Sequence, residues 1–145
     1  MTEALLVAEA LHTEDRIDER DKIEVTAPNG TAQDEVKTKE FEVPAGEVWY
    51  LNRLNLVTEA EVAGNLRISK FPKVSDIDKK YLGTDQAAGA NTNYDLAAAG
   101  QLGADLRLVG GDKITVVATV TAAGGTTADR KVTLSPFGRK STRLV

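Results

Sequence analysis

Cysteine is absent from the chain, and histidine, methionine and tryptophan occur once each. Without cysteine there is no disulfide framework, no thiolate nucleophile and no cysteine-ligated metal site. Acid–base catalysis of the triad type needs a histidine beside a nucleophile, and the single histidine, His12, lies near the N-terminus. We therefore expect a protein that is not an enzyme and that uses no cofactor or resident metal.

Aromatic residues are also few, at 5% of the 145 residues, so the core must be mostly aliphatic. A chain of this length fits one domain, and 41% hydrophobic with 28% charged residues is typical of a globular protein. The formal net charge of -4 argues against binding of duplex nucleic acid, which needs a surplus of lysine and arginine. The longest apolar run near the start, Ala4 to Ala8, is too short for a membrane span and lacks the positive flank of a secretion signal.

What the chain does contain is strand patterning, clearest over residues 104–134. Residues 113–121 alternate apolar with mostly polar side chains, as in a strand with one buried face. Gly110-Gly111-Asp112 and Gly124-Gly125 separate this strand from its neighbours and predict hairpin turns. The stretch is expected to form three consecutive antiparallel strands, a β-meander.

Two earlier segments, residues 22–27 and 35–43, also have strand patterning. Pro28-Asn29-Gly30 predicts a hairpin turn between them, because Asn and Gly tolerate positive φ and Pro fixes its own φ. Val36 is out of phase with Phe41 and Val43, which predicts a bulge or a strand break between them.

The segment from Glu47 to Thr58 is apolar on both faces. Simple alternation places Val48, Tyr50, Leu54 and Leu56 on one face and Trp49, Leu51 and Val57 on the other. Such a strand is either central in a sandwich, with its second face covered, or carries Trp49 and Leu51 into a subunit interface.

Many short strands joined by Gly-rich or Pro-rich turns predict an all-β fold, an antiparallel β-sandwich or single jelly roll. The sandwich is expected over residues 22–134, with a long loop region at 73–103 that contains short strand or helix pieces. Residues 1–21 and 135–145 are predicted to be extended N- and C-terminal arms.

Candidate contact residues lie in the arms, in the two-sided strand and in the long loop. The leucines of the first arm suit either a short helix or an extended arm that packs on another subunit, and we favour the arm. In the second arm the basic residues are either simply solvated or meet an acidic surface. The candidate interface residues are Leu5, Leu6, Leu11, Trp49, Leu51, Tyr81, Tyr94, Phe137, Arg139, Lys140 and Arg143.

The long loop also holds the carboxylates Asp76, Asp78 and Asp85, the raw material of a calcium loop. The run lacks the dense Asp/Asn-Gly pattern and the closing Glu of such loops, so a solvated acidic loop is the default. No catalytic, cofactor or metal residue is assigned.

Two stretches carry a family resemblance, Phe-Glu-Val-Pro-Ala-Gly-Glu-Val-Trp-Tyr-Leu at 41–51 and Leu-Val-Gly-Gly-Asp-Lys-Ile-Thr-Val at 108–116. The pair resembles the strand pairs x-V-P-A-G-x-x-W and L-x-x-G-D-x-I-x-V of small jelly-roll proteins in tailed-virus particles. The resemblance covers residues 40–134 and neither arm. It implies a non-enzymatic virion structural protein, most simply a capsid decoration or cement protein.

Such a protein, as the resemblance implies, lies on the capsid exterior, often as a trimer, and binds the major capsid protein or other virion subunits. It is made in the host cytoplasm without a signal peptide and has no nucleic-acid or membrane partner. The alternative is a glycan- or cell-surface-binding module of a turret, fibre or tail, with residues 73–103 forming its site. A Gly-Asp turn before a strand also occurs in carbohydrate-binding jelly rolls.

Overall fold

The computed structural model describes residues 12–69, 79–80, 85–95 and 106–143, which form ten antiparallel strands and one 3-10 helix. The strands are β1 His12–Ile17, β2 Ile23–Ala27, β3 Val36–Glu42, β4 Glu47–Thr58, β5 Val62–Ser69, β6 Lys79–Lys80, β7 Asn91–Asp95, β8 Leu106–Val109, β9 Lys113–Val120 and β10 Arg130–Arg143. The 3-10 helix, Glu19–Asp21, joins β1 to β2. In this part of the chain no helix has the length and apolar character needed to cross a bilayer.

The larger of the two sheets is built on its two longest strands, β4 and β10, which pair with each other. On the other side of β10 lie β1 and β2, end to end, and on the other side of β4 lie β7 and β8. The smaller sheet has the order β3-β9-β5-β6. The predicted all-β, two-sheet sandwich is confirmed.

The core lies between the sheets and is aliphatic, as the composition predicts. Leu56 and Leu134 of the larger sheet are fully buried, as are Leu66 and Val116 of the smaller one. Each such side chain contributes roughly 1.5–3 kcal/mol by its burial. Alternate residues of each strand therefore fix which side of each sheet faces the core.

One β-bulge interrupts the central pair of strands. Phe137 pairs with Arg53 and Gly138 pairs with Leu51, so Asn52 of β4 is an extra residue without a partner on β10. The inward-pointing residues of β4 have odd numbers before the bulge and even numbers after it. The two-sided apolar pattern of this strand is the result.

Because of the bulge, Trp49 and Leu51 lie on the same inner side as Leu54 and Leu56. Tyr50 consequently lies on the outer side, which differs from the faces that simple alternation predicts. Trp49 and the three leucines of β4 thus share one buried face, and Val48, Tyr50 and Val57 are half-buried on the outer side.

Parts of both predicted arms belong to the larger sheet. Residues 135–143 form the second half of β10, with β1 on one side and β4 on the other, so the predicted C-terminal arm is wrong over this range. Residues 12–17 form β1, and Ile17 is 1% exposed in the core. Pairing on both sides satisfies the backbone of β10, which a free arm would leave to water. Residues 1–11 lie outside the described residues.

The predicted meander and hairpins are also wrong, because successive strands change sheets. β8 and β10 lie in the larger sheet, but β9 between them lies in the smaller one. The turns at residues 110–112 and 124–125 therefore carry the chain across the sandwich. The turn at 28–30 does the same, since β2 pairs with β10 and β3 pairs with β9.

β3 is regular, so the predicted bulge near Val36 is wrong. All its residues pair in unbroken register with β9. Val36 is 54% exposed because β3 is an edge strand, and Phe41 packs against the core from the other side of the strand. The phase change in the sequence reflects an exposed edge.

The two stretches that carry the family resemblance meet at one end of the sandwich. The N–H of Gly111 donates to the carbonyl of Val43 (2.9 Å), and the N–H of Val43 donates to the carbonyl of Asp112 (2.8 Å). The side chain of Asp112 is fully buried and accepts from the Val109 N–H at 2.9 Å. Since a Cβ on Gly110 would lie 3.0 Å from the Pro44 carbonyl oxygen, a side chain there would push the two turns apart.

Glu61 joins the β4–β5 turn to the loop before β10. It has a φ of 74°, which is uncommon for a residue other than glycine. Its Oε1 accepts hydrogen bonds from the Thr127 N–H (3.0 Å), the Thr127 hydroxyl (3.0 Å) and Arg130 Nε (2.8 Å). The Thr127 N–H and the Arg130 guanidinium hold the pKa of Glu61 below its ordinary value.

We expect Gly138→Ala to destabilise the fold strongly, because a Cβ there would collide with the carbonyl oxygen of Tyr50 at the bulge. Overpacking of this kind costs about 3 kcal/mol or more. Urea unfolding measures the change. The matched control is Gly124→Ala, where no atom lies within 4 Å of the new Cβ, and its effect is expected to stay within about 0.5 kcal/mol. Equal stability of the two variants would contradict the tight packing at the bulge.

Glu61→Gln is expected to lower stability at neutral pH and to lose this effect in acid. Because the folded pKa of Glu61 is depressed, its contribution is present above the unfolded pKa of about 4.3 and disappears as the pH falls through the folded pKa. Urea midpoints of wild type and variant should therefore converge between about pH 5 and about pH 2. Glu35→Gln, which removes an exposed ion pair with Lys37, should show almost no difference at either pH. A gap for Glu61→Gln that persists in acid would contradict the account.

Candidate docking face

The outer side of the larger sheet, which points away from the smaller sheet, is rich in arginine. Arg16, Arg139, Tyr50 and Arg107 are neighbours in one row across β1, β10, β4 and β8. In the next row Phe137 of β10 pairs with Arg53 of β4. We call this surface the arginine face; it consists of Arg16, Arg53, Arg107, Arg139, Arg143, Tyr50 and Phe137.

Two of these arginines stack on aromatic rings. The Cζ atom of Arg139 lies 4.1 Å from the centre of the Tyr50 ring, and that of Arg53 lies 4.1 Å from the centre of the Phe137 ring. Such cation–π contacts contribute about 0.5–1 kcal/mol at exposed sites. The bulge makes the second stack possible, because it turns Arg53 outward opposite Phe137. Stacking restrains each guanidinium and leaves the N–H groups at its edge to bind an anion.

The arginine face is basic although the whole chain has a net charge of -4. Two carboxylates described on the same side of the sheet are Glu14 and Glu24. Glu14 pairs with Arg139 at 3.2 Å, and Glu24 pairs with Lys131 at 3.4 Å. Burial raises the pKa of Glu24, and hydrogen bonds from Thr133 and Lys131 lower it by more, so the pKa lies below its ordinary value. This carboxylate is therefore charged at neutral pH.

Three arginines of the face, Arg16, Arg53 and Arg143, form no ion pair within 4 Å among the described residues. Carboxylates are nonetheless near two of them: Asp18 lines the groove beside Arg16 and Arg53, and Asp95 lies opposite Arg53 in the β4–β7 register. Arg16 lies directly opposite Arg139 in the β1–β10 register. Like charges at directly opposed positions of a sheet repel each other. The guanidinium groups of Arg16, Arg53 and Arg143 are therefore not held in a close ion pair by the described residues.

The relief of this face is shallow. One groove of about 390 Å³ runs between Val48, Tyr50, Val109 and Arg143. Another, of about 410 Å³, surrounds the bulge beside Arg53. Half-buried valines thus border stacked arginines and aromatic rings, and this mixture of Arg, Tyr, Phe and aliphatic area is typical of protein–protein interfaces.

Three of the predicted interface residues lie on this face: Phe137, Arg139 and Arg143. Their contact with a partner stays a prediction. Lys140 alternates to the other side of β10, where its Nζ lies 5.5 Å from the centre of the Trp49 ring and 3.8 Å from an oxygen of Asp21. The basic cluster of the sequence is therefore divided between two sides of the sheet.

Trp49 and Leu51 are core residues, 2% and 0% exposed, so their predicted interface role is wrong. The bulge at Asn52 turned them inward. Tyr94 also lies on the inner side, and its hydroxyl donates to Oε1 of the buried Gln86 at 3.1 Å. Burial raises the pKa of the Tyr94 hydroxyl. Tyr94, which is half-buried, thus packs against the sheet and binds the 85–90 loop, and its contact with a partner stays a prediction. The remaining candidates, Leu5, Leu6, Leu11 and Tyr81, lie outside the described residues.

Sequence reasoning did not find four residues of the face, Arg16, Arg53, Arg107 and Tyr50. Their common position becomes visible only through the pairing of four strands that are distant in sequence. One local signal was available: Leu51 and Leu54 are three residues apart, which breaks strict alternation and indicates a bulge in β4.

The described residues contain no group of three or more His, Asp or Glu side chains placed to hold a metal ion. Asp85 accepts a hydrogen bond from Nδ2 of Asn65 at 2.9 Å. Its two companions in the sequence, Asp76 and Asp78, lie outside the described residues.

No protein-family model matches the chain, and no curated protein matches it. Among solved structures, the VP2 subviral particle of infectious bursal disease virus is 11% identical and matches 92% of this chain with a TM-score of 0.42. A CBM4 structure is 10% identical over 91% of this chain and 95% of its own, with a TM-score of 0.34. The globular domain of zebrafish complement 1qA protein is 12% identical over 86% of this chain and 97% of its own, with a TM-score of 0.32.

The chain spans about a third of the length of the viral chain it matches, 33%. At such identities and TM-scores no fold family, site or activity is transferred to this chain. The chain is, by its own strand pairing, a two-sheet antiparallel β-sandwich.

Proposed function

We propose that this protein is a non-enzymatic structural protein of a virus particle, a decoration protein of the tailed-virus type that binds the shell from outside. Its partners are the major capsid protein or another virion subunit, and copies of itself, with a trimer as the expected oligomer. The strand motifs at 41–51 and 108–116 are the starting point of this proposal. A rigid sandwich supplies the scaffold, and its surfaces and N-terminal segment make the contacts.

The arginine face is the observation that carries the proposal. It is broad, shallow and held by paired strands, so it is suited to lie against another surface. Its positive charge, on a chain of net charge -4, supports docking to one complementary region in preference to binding polyanions over the whole surface. Arg139, with Glu14 beside it, and the unpartnered Arg143 belong to this face.

A glycan-binding module is the second candidate, and one cluster favours it. Nδ2 of Asn55 donates to Oδ1 of Asn91 (2.8 Å) and to Oδ1 of Asn93 (3.1 Å) on the outer side of the larger sheet. Amide groups of this kind suit sugar hydroxyls. However, the nearby rings of Tyr50 and Phe137 are covered by guanidinium groups, which occupy the ring faces on which a sugar would stack. A glycan array probed with the purified protein separates the two candidates, and the decoration proposal expects no signal.

Shell particles assembled with this chain are expected to bind it at a fixed ratio and to resist heating better than particles without it. A chain that binds the assembled shell and not the dissociated subunits stabilises the assembled shell. The disruption temperature should therefore rise with the concentration of the chain. Mass measurement of the particles and thermal disruption give both readouts. A chain that stays in the supernatant, with particle mass unchanged, would overturn the proposal.

Deletion of residues 1–11 is expected to leave the fold intact and to abolish particle binding. The members of the core cluster lie between Ile17 and Leu134, so the deletion removes none of them. Leu5, Leu6 and Leu11 are the proposed contacts of this segment. Thermal unfolding checks the fold, and co-sedimentation checks the binding. Full binding by the shortened chain would remove the N-terminal segment from the proposal, and Leu5→Asp in the intact chain tests the apolar contact without a deletion.

A further inference from the structure

We propose that the arginine face docks onto an acidic protein surface, where Asp and Glu carboxylates of the neighbouring subunit bind Arg16, Arg53 and Arg139. This inference rests on the proposed function and names the chemistry of the contact. It concerns the side of the sandwich that meets the shell and leaves the N-terminal segment aside.

The face has more arginines than close ion pairs. Arg16 and Arg139 are directly opposed across β1 and β10, and Glu14 forms an ion pair with Arg139. Arg53, in the next row, stacks on Phe137 and forms no ion pair within 4 Å among the described residues, although Asp95 lies opposite it in register. Carboxylates of a partner placed between Arg16 and Arg139 would turn a repulsive arrangement into an attractive one.

Two arginines of the face are held in place by stacking. The rings of Tyr50 and Phe137 lie 4.1 Å from the guanidinium carbons of Arg139 and Arg53, so these side chains have already lost part of their rotational freedom. A guanidinium held in this way loses less entropy when it forms two parallel hydrogen bonds to a carboxylate. Stacked arginine beside tyrosine is also a frequent arrangement in the centre of protein interfaces.

The chemistry of the face favours a protein over a sugar or a nucleic acid as its partner. A sugar would need free ring faces, but both rings of the face are covered. A nucleic acid would bring phosphates along a length far greater than one sheet face, where a chain of net charge -4 repels them. A folded protein with a local cluster of carboxylates can contact the arginine face without approaching the rest of this chain's surface. The half-buried Val48 and Val109 beside the arginines add apolar area that a protein surface can cover.

The test compares two double charge reversals in the full chain. Arg16→Glu with Arg53→Glu changes the arginine face, and Lys39→Glu with Arg67→Glu changes exposed residues of the smaller sheet. Both variants alter the net charge equally, and none of the four residues belongs to an ion pair among the described residues. Binding is measured to shell particles, to immobilised poly-L-glutamate and to heparin, at low and physiological salt. Arg16→Gln with Arg53→Gln serves if the reversal fails to fold.

We expect the reversal on the arginine face to weaken binding to particles and to poly-L-glutamate by about tenfold or more, and the control reversal to weaken it by less than about threefold. Particle binding that survives both reversals would overturn this inference and leave the proposed function standing. The wild-type chain could also fail to bind particles while it binds poly-L-glutamate through the arginine face. That outcome would overturn the proposed function instead. If the arginine face binds heparin more tightly than poly-L-glutamate, the partner is not an acidic protein. If the chain self-associates and the reversal on the arginine face abolishes this, the face binds a second copy and not the shell.

Discussion

The pairing of β4 with β10 across one bulge is the constraint on which the rest of the structure depends. These two strands carry the other four strands of the larger sheet, two on each side. The bulge places Asn52 opposite no residue of β10 and requires glycine at 138, where the backbone passes close to the Tyr50 carbonyl. The same local change determines two distant properties: Trp49 and Leu51 enter the core, and Tyr50 and Arg53 turn to the outer side. Core and candidate docking face are therefore products of one irregularity.

The two ends of the sandwich are closed by different means. At one end, backbone hydrogen bonds lock the Pro44–Gly46 turn against the turn at residues 110–112, and Asp112 is buried inside it. At the other end, Glu61 binds Thr127 and Arg130, and the loop at 85–90 inserts Gln86, whose Nε2 donates to the Leu56 carbonyl at 2.7 Å. Both sets of hydrogen bonds tie neighbouring loops together. The pairing of β1, β10 and β4 sets the spacing of the arginines on the outer side, and such preorganised spacing favours a specific contact with carboxylates.

The fold class could be read from the sequence because strand alternation is local: residues 113–121 show their buried face without any knowledge of partners. The topology could not, because the turns at 28–30 and 110–112 have the composition of hairpin turns and yet cross between sheets. Residues 135–143 suggest a free arm because most of their side chains are polar. This half of β10 therefore lacks the alternation of apolar and polar residues that identifies a strand in the sequence. The arginine face escaped for a related reason, since Arg16, Arg53 and Arg139 come together through register alone.

We propose that the outer side of the larger sheet meets an acidic shell surface. An electron cryo-microscopy reconstruction of particles carrying this chain tests it most directly, because a sandwich has two distinguishable sheets and its orientation on the shell is visible. The account predicts the six-stranded sheet turned toward the shell, with density for Arg16, Arg53 and Arg139 against carboxylates of the underlying subunit. A reconstruction with the four-stranded sheet toward the shell, or with no density for the chain, would contradict it.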